Sequence, residues 1–495
     1  MNILAGTKNS FALSSCLLQW GQKITIFTNC HKFCIEAKVL SKEPGTQQYY
    51  CIPMKNLKCS LLFILVTLLS QCIQAQQLPR RAFLGAQLQN VTEAQQKSLK
   101  LPTQQGVHLV RVLPGSSLAF AKLKVGDILT AINQYSIVNV RQFMPLLKKF
   151  KANDKVKLTY YRQGKQRQAH MTFQEFPKMQ SKTYDVIYSS VKANTNHLRT
   201  IITKPKGNGK YPAVLIVQGL GCATIDSPVN RFSKAISDSL TGRGMVVMQV
   251  EKTGMGDSQG APCRECSFEE EVEGYRQGIK ALKKMSYVDA NQVFMFGFSM
   301  GGIIAPIVAS QMPVKGVIAY GTVGGRNWLE YEMENTRRQA EMAGTPYDEI
   351  SVIMQAKEKA LHYLMVEKQA TQDIIAKYPE TAPHLRYPQH SQYLRSVGSL
   401  NLAKNWLKIN AHVLVVHGKA DFVSFAKDHA LIAKIVNSKH PGKATYTELP
   451  NSDHWLNAMK TMQRSRQNRR NRNNAKNYRL LSIVSNWILE KVKIS

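Results

Sequence analysis

Val293-Phe294-Met295-Phe296-Gly297-Phe298-Ser299-Met300-Gly301 opens as an apolar run and closes on a glycine-flanked serine, and Met300 to Ser310 continues in a helical pattern. The run Val293 to Phe296 reads as a buried strand, because a parallel strand covered on both faces needs no polar alternation. A serine at a sharp turn from strand into helix is held in strained backbone, and the flanking glycines let the two elements approach. Its Oγ then projects above the sheet. Taken alone, Gly-x-Ser-x-Gly also fits a structural glycine turn; the strand-turn-helix context favours a nucleophile.

The same rhythm runs outward on both sides. Upstream, Tyr184 to Ser190 and Leu198 to Thr203 read as strands, then Ala213 to Val217 and Val246 to Gln249, with helices near Arg231 to Leu240 and over Phe268 to Lys284. Downstream come the strands Val317 to Tyr320, His412 to Val416 and Ala444 to Glu448, and the helix Ala426 to Asn437. This alternation predicts a doubly wound, mostly parallel sheet. Between Tyr320 and His412 a single crossover helix would suffice, so the helical patterns Trp328 to Met342, Tyr347 to Glu367 and Gln369 to Tyr378, then the aromatic stretch Tyr387 to Trp406, mark an insertion over about 325–408. The Arg- and Asn-rich Gln463 to Asn477 reads as a solvated loop before a last helix, Tyr478 to Val492.

An activated serine needs a base and an orienting acid, and in such sheets they follow later strands in the order Ser, Asp, His. Asp421 follows the strand His412 to Val416, and His454 follows Ala444 to Glu448. Asp428 sits inside the next helix and Asp453 adjoins the histidine, so Asp421 is the expected acid. Other histidines, such as His412, His417 and His429, read as structural or surface groups. The oxyanion would be held by the amides of Met300 and of Leu220 in Gln218-Gly219-Leu220-Gly221, the loop after the third strand. An ordinary strand exit is the other reading of those glycines.

Together these residues resemble the α/β-hydrolase superfamily, and more closely the secreted bacterial carboxylesterases and serine aminopeptidase-like hydrolases, from about Lys182 to Ser495. Glu251 to Gly260 is similar to that family's glycine loop after the fourth strand. The resemblance implies an α/β-hydrolase domain over 180–495, a helical lid, and hydrolysis through an acyl-serine with neither metal nor cofactor. The insertion could instead be a buttress remote from substrate. The resemblance also makes the strands before Cys222 and Cys263 neighbours, which predicts a disulfide from Cys222 to Cys263 or, secondarily, to Cys266; the third thiol stays free. A zinc site lacks its second pair of ligands.

Arg80 to Phe173 differs in texture. Gly106 to Val112, Val125 to Ile132 and Lys155 to Tyr161 read as strands, Ser117 to Lys122 and Arg141 to Phe150 as two helices, giving a small β-barrel. Phe83-Leu84-Gly85-Ala86, Val112 to Ser117 and Leu123 to Asn133 resemble a PDZ domain of bacterial envelope proteases, here over 76–176. The resemblance implies that Phe83, Leu84, Gly85 and Ala86 form a loop for a peptide C-terminal carboxylate, with Arg80 and Arg81 favouring that anion. A structural module without peptide ligand is the alternative.

The chain has 495 residues, a mean hydropathy of -0.26 and 44% hydrophobic residues, which excludes general disorder and a multi-span membrane protein. Its net charge of +34 is spread along the chain, without the basic stripe and interleaved aromatics of a nucleic-acid groove, so no nucleic-acid partner is expected. Six of nine cysteines fall before residue 76. Met54 to Lys58 forms a basic start, Cys59 to Leu69 is apolar, and Ala75 offers a cleavage site. Residues 54–75 therefore read as a signal peptide, too short to span a bilayer; Leu69 to Cys72 is a weak lipoprotein box. Residues 1–53, without sustained period, read as a spurious extension. Export to the periplasm or beyond follows, and membrane contact would come only through the signal peptide or a lipid anchor.

Three functions remain: an esterase acting on small esters, a peptidase acting on short peptides whose chain ends the first module presents, and a non-catalytic binding protein. Glu330, Glu332 and Glu334 in the insertion are candidates for holding a substrate ammonium, if they are not simply solvated.

Overall fold

The computed structural model describes residues 23–29, 32–38, 49–53, 78–226, 231–469, 471 and 473–493. The segment expected as a signal peptide lies outside them. In the unit Met1–Ala75, within residues 1–53 that show no sustained period, Lys23–Asn29, Lys32–Lys38 and Tyr49–Pro53 pair as an antiparallel sheet. Their β-branched and aromatic content supplies strand propensity without alternation.

Gln76–Ser495 is a separate compact unit. Its first part is a six-stranded antiparallel sheet in the order Lys165–Thr172, Lys155–Arg162, Ile128–Ile132, Val107–Val112, Ala86–Asn90, with Tyr135–Ser136 beside Ile128–Ile132. Leu109, Leu118, Leu129, Ile132, Phe143, Leu158 and Phe173 fill its core. Three helices accompany the sheet where two were expected: Glu93–Ser98 adds to Ser117–Phe120 and Val140–Leu147. The extra helix buries no residue, so it leaves no apolar period; Thr92 and Gln95 hold its first turn in a capping box.

The second part is an eight-stranded sheet in the order Tyr184–Ala193, Asn196–Pro205, Val246–Val250, Tyr211–Val217, Val288–Phe298, Gly316–Tyr320, His412–Gly418, Ala444–Leu449. The first two strands form a hairpin that joins Val246–Val250 antiparallel, and every later pairing is parallel. One face carries the helices Phe268–Leu282, Gly301–Gln311 and Ala426–Lys439; the other carries Arg231–Thr241 and Arg479–Lys493. Phe294 and Phe296 point into one core while Val293 and Met295 point into the other, which is why the whole run is apolar. From Tyr211–Val217 the chain steps outward to Val246–Val250 and then returns to Val288–Phe298 on the opposite side. The loops leaving Tyr211–Val217 and Val288–Phe298 therefore diverge, opening a crevice at their carboxyl ends.

The insertion is helical: Trp328–Glu341, Tyr347–Leu361, Thr371–Lys377, Ser391–Gly398 and Leu402–Leu407, the last two within the stretch read only as aromatic and polar. The basic tail also departs from expectation. Met462–Asn468 is a helix capped by Thr461, and Ser465 is buried on Asp453. A helix anchored by one small polar residue shows no hydrophobic period.

Candidate active site

Ser299 stands where Val288–Phe298 turns into Gly301–Gln311, with φ at +53°. A non-glycine residue there costs about 1–3 kcal/mol, which the surrounding packing must hold. Gly301 makes the turn possible: a Cβ at that position would lie 2.1 Å from the Val217 carbonyl oxygen. From the next crevice loop, Gly219 brings its backbone so close that an added Cβ would sit 3.2 Å from the Ser299 Cβ.

His454 Nε2 lies 3.1 Å from Ser299 Oγ, and its Nδ1 lies 2.9 Å from Asp421 Oδ2. Asp421 is fully buried; its Oδ1 accepts the Val423 and Ser424 amides and its Oδ2 the Ser424 hydroxyl. Burial works against its charge, but His454 and these donors outweigh it and hold the carboxyl well below the usual carboxylate range. Ionised Asp421 fixes the proton on Nδ1 and leaves Nε2 as the acceptor facing Ser299. The rival acids are engaged elsewhere: Asp428 makes a bidentate pair with Arg326, and Asp453 holds the Trp455 and Asn457 amides.

Leu220 and Met300 line a cavity of about 220 Å³ together with Ser299 and His454. The loop of Leu220 is braced from below. Gln218 reaches the Val250 carbonyl through its side-chain amide at 2.9 Å, and Lys252 donates to the Gly219 carbonyl at 2.7 Å while pairing with Glu271. Lys252 carried no sequence signal, since a lysine after a strand is ordinarily solvated. A disulfide joins Cys222 to Cys263, and Cys266 is free and buried. Closing a loop with a separation of 41 residues contributes about 4 kcal/mol through the unfolded chain.

The insertion forms the opposite wall with Trp328, Tyr331, Glu332 and Tyr387, and Trp455 flanks the histidine. Of the three glutamates, Glu330 is exposed and Glu334 pairs with Arg326 and Lys427; Glu332 alone faces the cavity, already paired with Lys357.

In the first module, Ala82–Phe83 pairs with Gln174–Glu175, and the Leu84 and Gly85 carbonyls accept the Leu118 and Leu113 amides, which pins the Phe83–Ala86 turn. The resemblance implied that Arg80 and Arg81 would favour a peptide carboxylate, but both are already engaged within the chain. The Arg80 guanidinium is buried against Asp257, against Asp226 at 3.0 Å and against the Phe176 carbonyl at 2.7 Å, while Arg81 stacks on Phe176 and gives its amide to Asp257. Desolvating two arginines is tolerable only beside carboxylates, and the hydrolase loops supply them.

A glycine-flanked serine at the carboxyl end of a central parallel strand, with a histidine after the last strand within hydrogen-bond reach of it, is the arrangement of an α/β-hydrolase. Residues 213–454 match the family model described as serine aminopeptidase S33, and residues 82–172 match that of the PDZ domain. This chain belongs with the α/β-hydrolases and carries a PDZ domain N-terminal to the hydrolase sheet. It is 30% identical to Esterase EstD of Thermotoga maritima over 25% of this chain and 30% of that protein. It is 34% identical to a probable periplasmic serine endoprotease DegP-like of Marinomonas sp. over 20% of this chain and 21% of that one. The chain thus spans less than a third of the curated relatives it matches. Among solved structures, Est1E from Butyrivibrio proteoclasticus with ferulic acid bound aligns over 61% of this chain and 99% of its own, at 15% identity and a TM-score of 0.41.

Proposed function

We propose that this protein is an exported serine hydrolase that cleaves carboxylic esters through an acyl-serine intermediate. The observation that carries the reading is the hydrogen-bonded run from Ser299 through His454 to Asp421 on the wall of a lidded cavity. As Ser299 Oγ attacks the ester carbonyl carbon, its proton passes to His454 Nε2. The imidazolium so formed is stabilised by Asp421, and the oxyanion lies against the Met300 and Leu220 amides. The imidazolium then protonates the leaving alkoxide as the C–O bond breaks. Water, deprotonated by the same Nε2, attacks the acyl carbon and frees Ser299. No step calls for a metal or cofactor.

A peptidase is the second reading, and the name of the matched family model favours it. Against it, the one glutamate on the cavity wall is neutralised by Lys357, so a substrate ammonium finds no net negative charge there. A non-catalytic binding protein has no use for the hydrogen-bonded run. The PDZ domain supports peptide binding, and Ala86–Asn90 at the sheet edge is the strand on which a C-terminal peptide would add. Export accords with the disulfide and with the periplasmic proteases that resemble the first module.

Turnover of an acyl-chain ester series against an aminoacyl-amide series, in wild type and Ser299→Ala, tests the assignment. Ester turnover and fluorophosphonate labelling should both vanish in the variant. Full labelling of the alanine variant, or faster cleavage of amides than of esters, overturns it. Intact mass of the exported protein should correspond to a start near Gln76; a mature form retaining residues 1–53 refutes the signal peptide.

A further inference from the structure

The wall of the cavity facing Ser299 is mostly apolar, with Leu220, Ile303, Val323, Trp328 and Val423, but it holds one polar device. Glu332 Oε2 accepts from Lys357 Nζ at 2.5 Å and from the Tyr387 hydroxyl at 2.7 Å, and Nζ lies 2.9 Å from that same hydroxyl. The three side chains close a ring. They come from three separate parts of the lid: the helix Trp328–Glu341, the helix Tyr347–Leu361 and the segment before Ser391–Gly398. Lys357 is buried behind the wall, whereas Glu332 and Tyr387 line the cavity itself.

Both contacts fall on one carboxylate oxygen. Among the described residues Glu332 Oε1 accepts no hydrogen bond, and it is not among the atoms sealed from solvent without a partner. A carboxylate offers about four lone-pair sites, so Oε1 keeps an acceptor on a side chain that lines the cavity. Its field is that of an ion pair and not of an anion. An ammonium approaching Oε1 would meet the Lys357 charge close behind, and a carboxylate would meet Glu332; a neutral donor meets neither penalty.

Resting on the ester-hydrolase reading above, we propose that the Glu332–Tyr387–Lys357 ring is a substrate-recognition subsite for a hydroxyl group, which makes the preferred substrates esters that carry a free hydroxyl on the acyl or the alcohol part. A buried ion pair is costly to keep in a lid, and apolar side chains would pack there as well. Recognition of a donor gives the ring a use.

The test is the ratio of kcat/KM within two matched pairs, measured on the full mature protein: a 6-hydroxyhexanoate against a hexanoate aryl ester, and glycerol monobutyrate against propyl butyrate. Wild type should prefer the hydroxylated member of at least one pair by about 10- to 100-fold, the range of a hydrogen bond to a charged acceptor. Glu332→Ala should bring that ratio near one, and Glu332→Gln, which keeps a carbonyl oxygen, should retain part of it. The paired Glu332→Met and Lys357→Met variant removes both charges without stranding either, and it too should lose the preference. Equal kcat/KM within both pairs, or a preference that survives every variant, overturns the subsite alone. Cleavage of aminoacyl amides with no turnover of any ester overturns the ester-hydrolase reading and the subsite with it.

Discussion

Asp421 shows how much one buried carboxylate is asked to do. It receives two backbone amides, one hydroxyl and the His454 ring while lying wholly out of water. Asn in its place would present an NH2 group where only acceptors are tolerated, and the imidazole would lose both its tautomer and its partner when charged. Asp421→Asn should therefore lower kcat by about 10⁴-fold, read in an ester assay, with KM changed much less. A loss under tenfold would remove the acid from the mechanism. Chain order singles out Asp421 because each strand of a parallel sheet delivers its loop to the same edge, while Asp428 lies inside the next helix and Asp453 adjoins the histidine itself. The partners of Lys252 and Lys357 could not be read that way, since nothing local says which lysine will be buried.

Elements, not single residues, keep the crevice loops in place. Glu251, at the end of Val246–Val250, accepts from Thr224 and from the Ile225 amide on the loop that also carries Leu220. Burial pushes its carboxyl up to about 7 from an ordinary 4.5, with Thr224, Ile225 and Arg81 pulling only partly the other way. Between those values the folded protein keeps a proton that the unfolded chain has lost. The contribution is fully present below pH 4.5 and is lost as pH rises through the folded value, on the order of 3 kcal/mol in all. Thermal melting of wild type and Glu251→Gln from pH 4 to 8 should show the wild type losing stability relative to the variant across that window. A difference that stays flat with pH contradicts the assignment. Helix and strand positions with a clear period were legible beforehand; Glu93–Ser98 and Met462–Asn468 were not, because each is held by caps and one or two polar anchors.

At the scale of the whole molecule, the PDZ and hydrolase parts of Gln76–Ser495 are joined through buried charge. Arg80 and Arg199 share Asp257, Arg80 also reaches Asp226, and Arg199 donates to the Leu78 carbonyl at 2.6 Å. Both carboxylates belong to loops at the carboxyl-end edge of the sheet, the edge that also carries Ser299. Arg80→Met leaves them short of a cation and should cost about 3–5 kcal/mol, read as a lower midpoint in guanidinium denaturation. Proteolysis should at the same time open the segment around Pro177. An unchanged midpoint would mean that the two parts stand independently. Residue by residue, Arg80 and Arg81 beside the Phe83–Ala86 turn looked like an anion trap, and only the arrival of Asp226 and Asp257 from far along the chain shows where their charge is spent.

Sequence by itself determined the order of the modules, the alternation that builds the sheet, and the elbow at Ser299, because periodicity, turn chemistry and glycine placement act over a few residues. Chain order added which loops end at the crevice. Tertiary structure decided the rest: that Arg80 is a clamp, that Lys252 supports the Leu220 loop, and that Glu332 faces the cavity with its charge cancelled. Those outcomes turn on burial and on charges brought together across tens to hundreds of residues, and burial of a charge is a property of packing that no local window contains.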